Sequence, residues 1–315
     1  MDALISFIVI AYNARQTIRQ CLASILAQEI AKQIILVDNA STDETVLAVA
    51  DLPVLIVTES HKNRGAARNQ GLQHATGDFI AFVDSDVELP RQWAQDALAL
   101  LVHNPDIVAV GGPGLTPSDS WVSRALDVQQ YGTHLDCETH RVPSLPTMNV
   151  LYRGNAIRAE RFENFWTAED AEFNFRLGAR GYKFLWSRDL AVTHHHVTTL
   201  GQLIRKSFQY GMWYLAPYSR HPKMMDWGVV ARIAFFPAIL FLFVGGALCI
   251  PFVVGGTIAI CLPLLAYAMI AARSRLLQTT RSKIQFVIVH SAKQYAQMAG
   301  IWAGVLNGMV RAFRK

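Results

Sequence analysis

The chain has 315 residues, 29 Lys and Arg against 24 Asp and Glu, and four cysteines at positions 21, 137, 249 and 261. That cysteine spacing excludes a disulfide framework and a zinc site. Charge is unevenly distributed: 16 basic against 23 acidic residues through Thr199, then 13 against 1 from Leu200 onward, where Ile233 to Ala272 form 40 uncharged positions in a row. Basic charge flanking a long apolar run points to anionic membrane lipid and away from nucleic acid.

Met1-Asp2 lacks a basic n-region, and the apolar run Ala3 to Ala11 is short, so no signal peptide is expected. The first 110 residues then alternate between two patterns. Ile5 to Ala11, Gln33 to Val37, Val54 to Val57, Phe79 to Val83 and Ile107 to Val110 read as buried strands. Thr17 to Gln28, Thr42 to Asp51, Gly65 to Ala75 and Pro90 to His103 read as helices, the second capped by Ser41 with Glu44 as its capping-box partner. Such alternation predicts an α/β fold with a mostly parallel sheet flanked by helices and right-handed crossovers.

In such sheets ligands bind beyond the carboxyl ends of the strands, so the residues there carry the functional reading. Asp84-Ser85-Asp86 closes the fourth strand. Two carboxylates one residue apart repel, and a bound Mg²⁺ or Mn²⁺ would relieve that repulsion while bridging to phosphate oxygens. Asp38 ends the second strand beside Tyr12, offering an acceptor and an aromatic face to a nucleobase. Arg64 and Arg68 lie at the start of the next helix, where cations could face a diphosphate. The stretch after the first strand, Ala11-Tyr12-Asn13-Ala14, lacks the glycines of a dinucleotide fingerprint, and Gly111 to Gly114 lacks the Lys and Ser/Thr of a P-loop. The nucleotide is therefore expected to be held by side chains and a metal.

Further on, Glu169-Asp170 opens a helical pattern on which adjacent residues cannot share a face. One is expected to meet a substrate while the other makes a structural bond. In His194-His195-His196, at a strand end, alternate residues face one side, so His194 and His196 could both approach the site, His194 being the preferred third metal ligand.

A spanning helix needs roughly 20 apolar residues. The uncharged run, interrupted by Pro251 and Gly255-Gly256, predicts a transmembrane hairpin over 229–272 with its turn near Ile250 to Gly256. It follows a catalytic domain at 1–200 and an amphipathic linker at 201–228, and precedes a basic tail at 273–315. Arginines and lysines on both flanks put the N-terminal domain in the cytoplasm of a multi-pass inner-membrane protein. Ile284 to Met309 is less apolar, and Tyr295, Met298, Ile301, Trp302 and Val305 recur at helical spacing, which predicts an amphipathic helix lying in the membrane interface.

In this order the motifs resemble the GT-A fold glycosyltransferases of family 2. The resemblance runs from about Ile5 to His196 and is carried by Ile8 to Asn13, Val37 to Asp43, Asn63 to Gly71, Gly77 to Asp86, Arg153 to Ile157, Ala168 to Leu177 and Gly181 to Lys183. It implies that Ala11, Tyr12, Asn13 and Asp38 hold the base and ribose of a UDP or GDP sugar, that Arg64 or Arg68 meets the diphosphate, and that Asp84 with Ser85 meets the sugar or ribose. It also implies that Asp86 binds the metal, with a histidine such as His194 often placed beside it, and that Asp170 of the Glu169-Asp170 pair is the general base. The Gln-x-x-Arg-Trp motif of processive members is missing; Arg205 to Gly211 stands in that region, which favours single-sugar addition. A retained base favours a hydroxyl acceptor on a lipid-linked or membrane glycan, with a polyprenyl phosphate as the alternative, since an ionised phosphate needs no base. A nucleotidyltransferase or a non-catalytic membrane scaffold are further readings, separable by metal-dependent nucleotide binding.

Overall fold

The strands that read as continuous apolar runs form the centre of a mixed sheet. In the computed structural model, which describes residues 3–117, 120–132, 134, 138–195, 197–246, 250–274 and 276–313, the chain divides into two units. These are Met1–Pro117 with Thr133–His196, and Ser118–Gly132 with Val197–Lys315.

The first unit contains β1 (Ile5–Ala11), α1 (Ile18–Leu26), β2 (Lys32–Asp38), β3 (Leu55–Thr58), α2 (Arg64–His74), β4 (Phe79–Asp84), β5 (Val87–Glu88), α3 (Trp93–His103), β6 (Ile107–Gly111) and β7 (Gly114–Leu115). After α4 (Trp121–Tyr131) of the second unit come β8 (Thr139–Val142), β9 (Asn149–Arg153), α5 (Gly154–Ile157), α6 (Glu169–Ala179), β10 (Lys183–Ser187) and β11 (Val192–His194). Eight strands are ordered β3-β2-β1-β4-β9-β6-β10-β8, and a small sheet is ordered β5-β11-β7. The β1 to β4 pairings are parallel, as is β6 with β10, while β8 and β9 run antiparallel to their neighbours.

β1 lies at the heart of the sheet because Ile5, Phe7, Ile8 and Val9 are all fully buried. A strand hidden on both faces shows no polar alternation. Each such side chain contributes about 1.5–3 kcal/mol through removal of apolar surface from water. One face packs Ile8, Phe82, Val150, Tyr152 and Trp186 against Ala67, Leu72, Phe173 and Leu177, which seats α2 and α6 on the sheet.

The helix expected over Thr42 to Asp51 is replaced by a single 3₁₀ turn at Leu47–Val49. The polar side chains ahead of it do not cap a helix; they bond to the loop after β1. Thr42 N donates to Asn13 Oδ1 at 2.7 Å, Asn13 N to Ser41 Oγ at 3.0 Å and Ala14 N to Thr45 Oγ1 at 2.8 Å. Local side-chain bonding of this kind competes with helix formation.

The second unit consists of α4, α7 (Leu200–Trp213), α8 (Ala216–Arg220), α9 (Trp227–Gly246), α10 (Ile250–Arg273) and α11 (Thr280–Phe313). Its core holds Val122, Ala125 and Leu126 of α4, Leu203 of α7, Ala271, Leu277, Phe286 and Val289. The α7 and α11 backbones touch where Gly211 meets Gly300, so a Cβ on either would strike main-chain atoms of the other helix. Small residues permit this approach.

Among the described residues no helix is long and apolar enough to cross a membrane. This overturns the expected hairpin over 229–272 and, with it, the multi-pass inner-membrane placement. The uncharged run is shared between two helices that carry internal prolines, Pro237 and Pro263, and α9 also holds Arg232. The turn expected near Ile250 to Gly256 falls inside α10; residues 247–249 between the helices lie outside the described set. The stripe on α11 expected at a membrane interface is partly buried in protein: Met298 and Ile301 are covered, and α11 packs on α7 and α4.

Candidate functional site

The carboxyl ends of β1, β2 and β4 bring the first unit's polar residues together. The parallel register pairs Ala11 with Asp38 and Ile10 with Asp84, so adjacent strands end level. Tyr12 and Asn13 lie just beyond β1, both exposed, while Asp38 is buried and its Oδ1 has no hydrogen-bond partner among the described residues. A buried carboxylate oxygen left unbonded costs free energy unless a ligand supplies a donor.

Asp84, Ser85 and Asp86 are half-buried at the turn into β5. β5 pairs with β11 so that His194 lies opposite Val87, and this pairing carries the imidazole to the aspartates. His194 Nε2 is 3.3 Å from Asp86 Oδ1. One ligand atom from each of Asp84, Asp86 and His194 lies within 4.8 Å of the others. Two carboxylates and an imidazole make a donor set that fits a divalent cation. His196 lies outside the described residues.

The helix bearing Glu169 and Asp170 sends its two carboxylates in different directions. Glu169 is buried and ion-paired with the buried guanidinium of Arg68, whose other side lies 3.8 Å from Asp84 Oδ1. Burial alone would push the Glu169 carboxyl up, but Arg68 and then Arg64 hold it below the ordinary glutamate range. Asp170 turns toward the 145–148 loop, its Oδ2 accepting from Thr147 N at 3.4 Å and its Oδ1 from Ala171 N at 2.8 Å. Burial, and then the charge of Glu169, push Asp170 above the ordinary aspartate range, with Arg68 opposing. A partly shielded carboxylate raised in this way is suited to accept a proton.

Of the two arginines expected as candidates for the diphosphate, Arg68 is ion-paired with Glu169, and Arg64 is half-buried at the start of α2. Among the described residues three non-glycines take left-handed backbone: Asn13 at φ 50°, Ala40 at φ 59° and Ala168 at φ 60°. Asn13 and Ala168 adjoin Tyr12 and Glu169, and Ala40 lies two residues past Asp38; backbone strain of this kind concentrates where geometry serves function.

Two residues in this region were not singled out from sequence. Lys62 Nζ lies 3.7 Å from the Tyr12 ring centroid and 5.6 Å from that of Trp166. Lys62 directly precedes the Asn63 to Gly71 stretch, but its meeting with Trp166 is tertiary and leaves no local signature.

Residues 6–160 match the family described as Glycosyl transferase family 2. The chain carries a family 2 glycosyltransferase domain. Over 208 residues, 60% of this chain and 43% of the relative, it is 33% identical to the pre-mycofactocin glycosyltransferase of Mycobacterium tuberculosis. Over 90 residues, 27% of this chain and 36% of the relative, it is 39% identical to the Escherichia coli UDP-Glc:alpha-D-GlcNAc-diphosphoundecaprenol beta-1,3-glucosyltransferase. The matched stretch spans less than half the length of either. A mannosyltransferase from Pyrobaculum calidifontis, solved with GDP-Man and Mn2+, shares the fold with a TM-score of 0.61 at 18% identity, over 96% of this chain and 87% of that one. The glycosyltransferase domain therefore has a GT-A-like fold, with the aspartate-histidine cluster at its strand ends.

Proposed function

We propose that the protein is an inverting, non-processive glycosyltransferase that moves one sugar from a nucleotide-diphosphate sugar to a hydroxyl group of a glycan acceptor, with Asp170 as general base. The observation that carries this reading is the convergence of Asp84, Asp86 and His194 within 4.8 Å at the end of β4, linked through Arg68 to the helix that bears Asp170.

In this mechanism Asp86 and His194 would hold a divalent cation, Mn²⁺ or Mg²⁺, and Asp84 faces the donor. Such a cation would supply positive charge to the departing diphosphate. Tyr12, Asn13 and Asp38 bind the nucleoside, the Asp38 carboxylate accepting a hydrogen bond from base or ribose. Arg64 faces the diphosphate. Asp170 removes the hydroxyl proton as the acceptor oxygen forms its bond to the anomeric carbon and the bond to the diphosphate breaks, which inverts the centre. Glu169 stays ionised against Arg68 and keeps the first turn of α6 in place.

The relative that acts on a diphosphoundecaprenol-linked sugar supports a lipid-linked glycan as acceptor class. The test is a panel of sugar nucleotides assayed for Mn²⁺-dependent transfer or hydrolysis. One donor is expected to be used selectively; hydrolysis of none, with no binding of UDP or GDP, would reject the reading.

A further inference from the structure

Trp121, Arg124, Ala125 and Val128 recur at helical spacing along one face of α4 and line one side of a cavity of about 480 Å³. The other side is formed by the 276–279 segment and the start of α11, which contribute Leu276, Leu277, Arg281 and Gln285. All of these residues belong to the second unit. Small-molecule sites enclose about 300–1,000 Å³ and are mostly apolar with a few placed polar groups, and this cavity has that size and that mixture.

Its positive charge stands where the fold alone disfavours it. Arg281 lies in the first turn of the 34-residue helix α11, a turn without an acidic residue, where the backbone N–H groups already carry the positive end of the helix dipole. Lys283 in the same turn has a structural use, its Nζ lying 3.4 Å from the Ala272 carbonyl oxygen at the end of α10. Arg281 has no such use: among the described residues its side chain makes no hydrogen bond or ion pair. The backbone that carries it is nonetheless fixed. Ser282 N donates to Thr279 Oγ1 at 3.1 Å and Thr279 N to Ser282 Oγ at 3.2 Å, while Leu277 and Phe286 pack with Val122, Ala125 and Leu126 of α4. Leu276, by contrast, is 42% exposed.

We infer that this cavity is a binding site for a phosphate group carried on an apolar stem, with Arg281 and Arg124 holding the phosphate and the stem lying along Trp121, Val128 and Leu276. Guanidinium groups bind phosphate through paired, charge-assisted hydrogen bonds, and the dipole of α11 adds to their attraction. Two guanidinium groups beside a helix start suit a group that carries close to two negative charges, which a phosphate monoester supplies and a carboxylate does not. The apolar wall then gives the stem a place to leave water. This inference does not rest on the transferase reading, whose mechanism uses none of these residues.

The test is calorimetry of the full chain with octyl phosphate below its micellar concentration, with inorganic phosphate and octyl glucoside as controls. Octyl phosphate is expected to bind at least 10-fold more tightly than either control. Arg281→Gln, an exposed position whose replacement should leave the unfolding midpoint in place, is expected to weaken octyl phosphate about 10-fold, the range of one charge-assisted hydrogen bond. Leu276→Ser should weaken it about 5-fold and leave inorganic phosphate unchanged. Vesicles of phosphatidylcholine with and without phosphatidic acid identify the source of the phosphate. Pelleting with the anionic vesicles alone, lost in Arg281→Gln, would mark a lipid headgroup, and octyl phosphate binding without pelleting would mark a soluble phosphate ester. Octyl phosphate bound no more tightly than either control, or bound equally by Arg281→Gln, would overturn the inference.

Discussion

Arg68 stands between the two halves of the candidate site, its guanidinium 3.8 Å from Asp84 Oδ1 on one side and ion-paired with Glu169 on the other. Both members of the Arg68–Glu169 pair are buried, with side chains 5% and 3% exposed. Removing one partner leaves a charge stranded out of water, a loss of about 3–5 kcal/mol, whereas replacing both with apolar groups is close to neutral. Arg68→Met and Glu169→Leu are each expected to lower unfolding stability by that amount, and the double variant to recover most of it. Denaturant unfolding of the three variants checks this, and additive losses would show that the pair does not act as one unit.

The left-handed backbone at Ala168, φ 60°, sets the entry into α6. A Cβ in that region costs about 1–2 kcal/mol, which glycine avoids at the expense of about 0.5–1 kcal/mol of chain entropy. Ala168→Gly is therefore expected to be neutral or mildly stabilising and to keep activity. Ala168→Val, branched at Cβ, is expected to destabilise by more than 1 kcal/mol and to displace Glu169 and Asp170. Thermal unfolding paired with a transfer assay distinguishes the two substitutions.

The parallel core of the fold was legible because its strands are buried on both faces: Ile5 to Ala11 is apolar at every position but Ser6 and matches β1 residue for residue. The small sheet was not, since β5 and β7 have two residues each and owe their existence to pairing with β11. Asp84 and Asp86 could be picked out by their place after a buried run; the Arg68–Glu169 pair could not, because its members are 101 residues apart and only packing of α2 and α6 on one sheet face joins them. The apolar stretch after Ile233 misled for a related reason. Composition registers hydrophobicity along the chain, but the division into helices with internal prolines is set by local geometry.

His290, on α11, is fully buried with Nε2 2.9 Å from the Ala125 carbonyl oxygen. Burial pulls its pKa down to about 4, from the ordinary 6.5. Because the folded value is depressed, the unfolded chain takes up the proton first. Stability should therefore fall as pH drops from about 6.5 toward about 4, by on the order of 3 kcal/mol in total, and level off below. Unfolding midpoints across that range are expected to lose this slope in His290→Gln, which keeps a donor for Ala125 O and does not titrate.

In the proposed mechanism Asp86 and His194 would hold the divalent cation beside Asp84, so the loss of either ligand should be severe. Asp86→Asn removes a charge at the closest approach to His194, 3.3 Å, and is expected to weaken Mn²⁺ binding by more than 10-fold. His194→Ala should weaken it comparably and shift metal preference toward Mg²⁺, which favours an all-oxygen set. Mn²⁺ titration followed by electron paramagnetic resonance, with and without UDP or GDP, checks both. Unchanged titrations in Asp86→Asn would remove the cluster as the metal site.

As the proposed general base, Asp170 is expected to couple catalysis and stability with opposite signs. Burial, and then Glu169, raise its pKa, so the native state holds the Asp170 proton to higher pH than the unfolded chain does. Between the ordinary aspartate value and the raised one, stability therefore falls as pH rises, and above the raised value the full cost of the buried charge is present. Asp170→Asn removes that cost while leaving a side chain of the same shape, so this variant is expected to be at least as stable as the unmodified protein at pH 7. Activity should move the other way. Only ionised Asp170 can take the acceptor proton, so the rate is expected to climb with pH through a value above the ordinary aspartate range, and Asp170→Asn to lose about 10²- to 10⁴-fold in kcat with nucleotide affinity unchanged. A pH–rate profile of the unmodified protein, together with unfolding and single-turnover transfer by Asp170→Asn, tests both signs; full activity in the variant would assign the proton to another group.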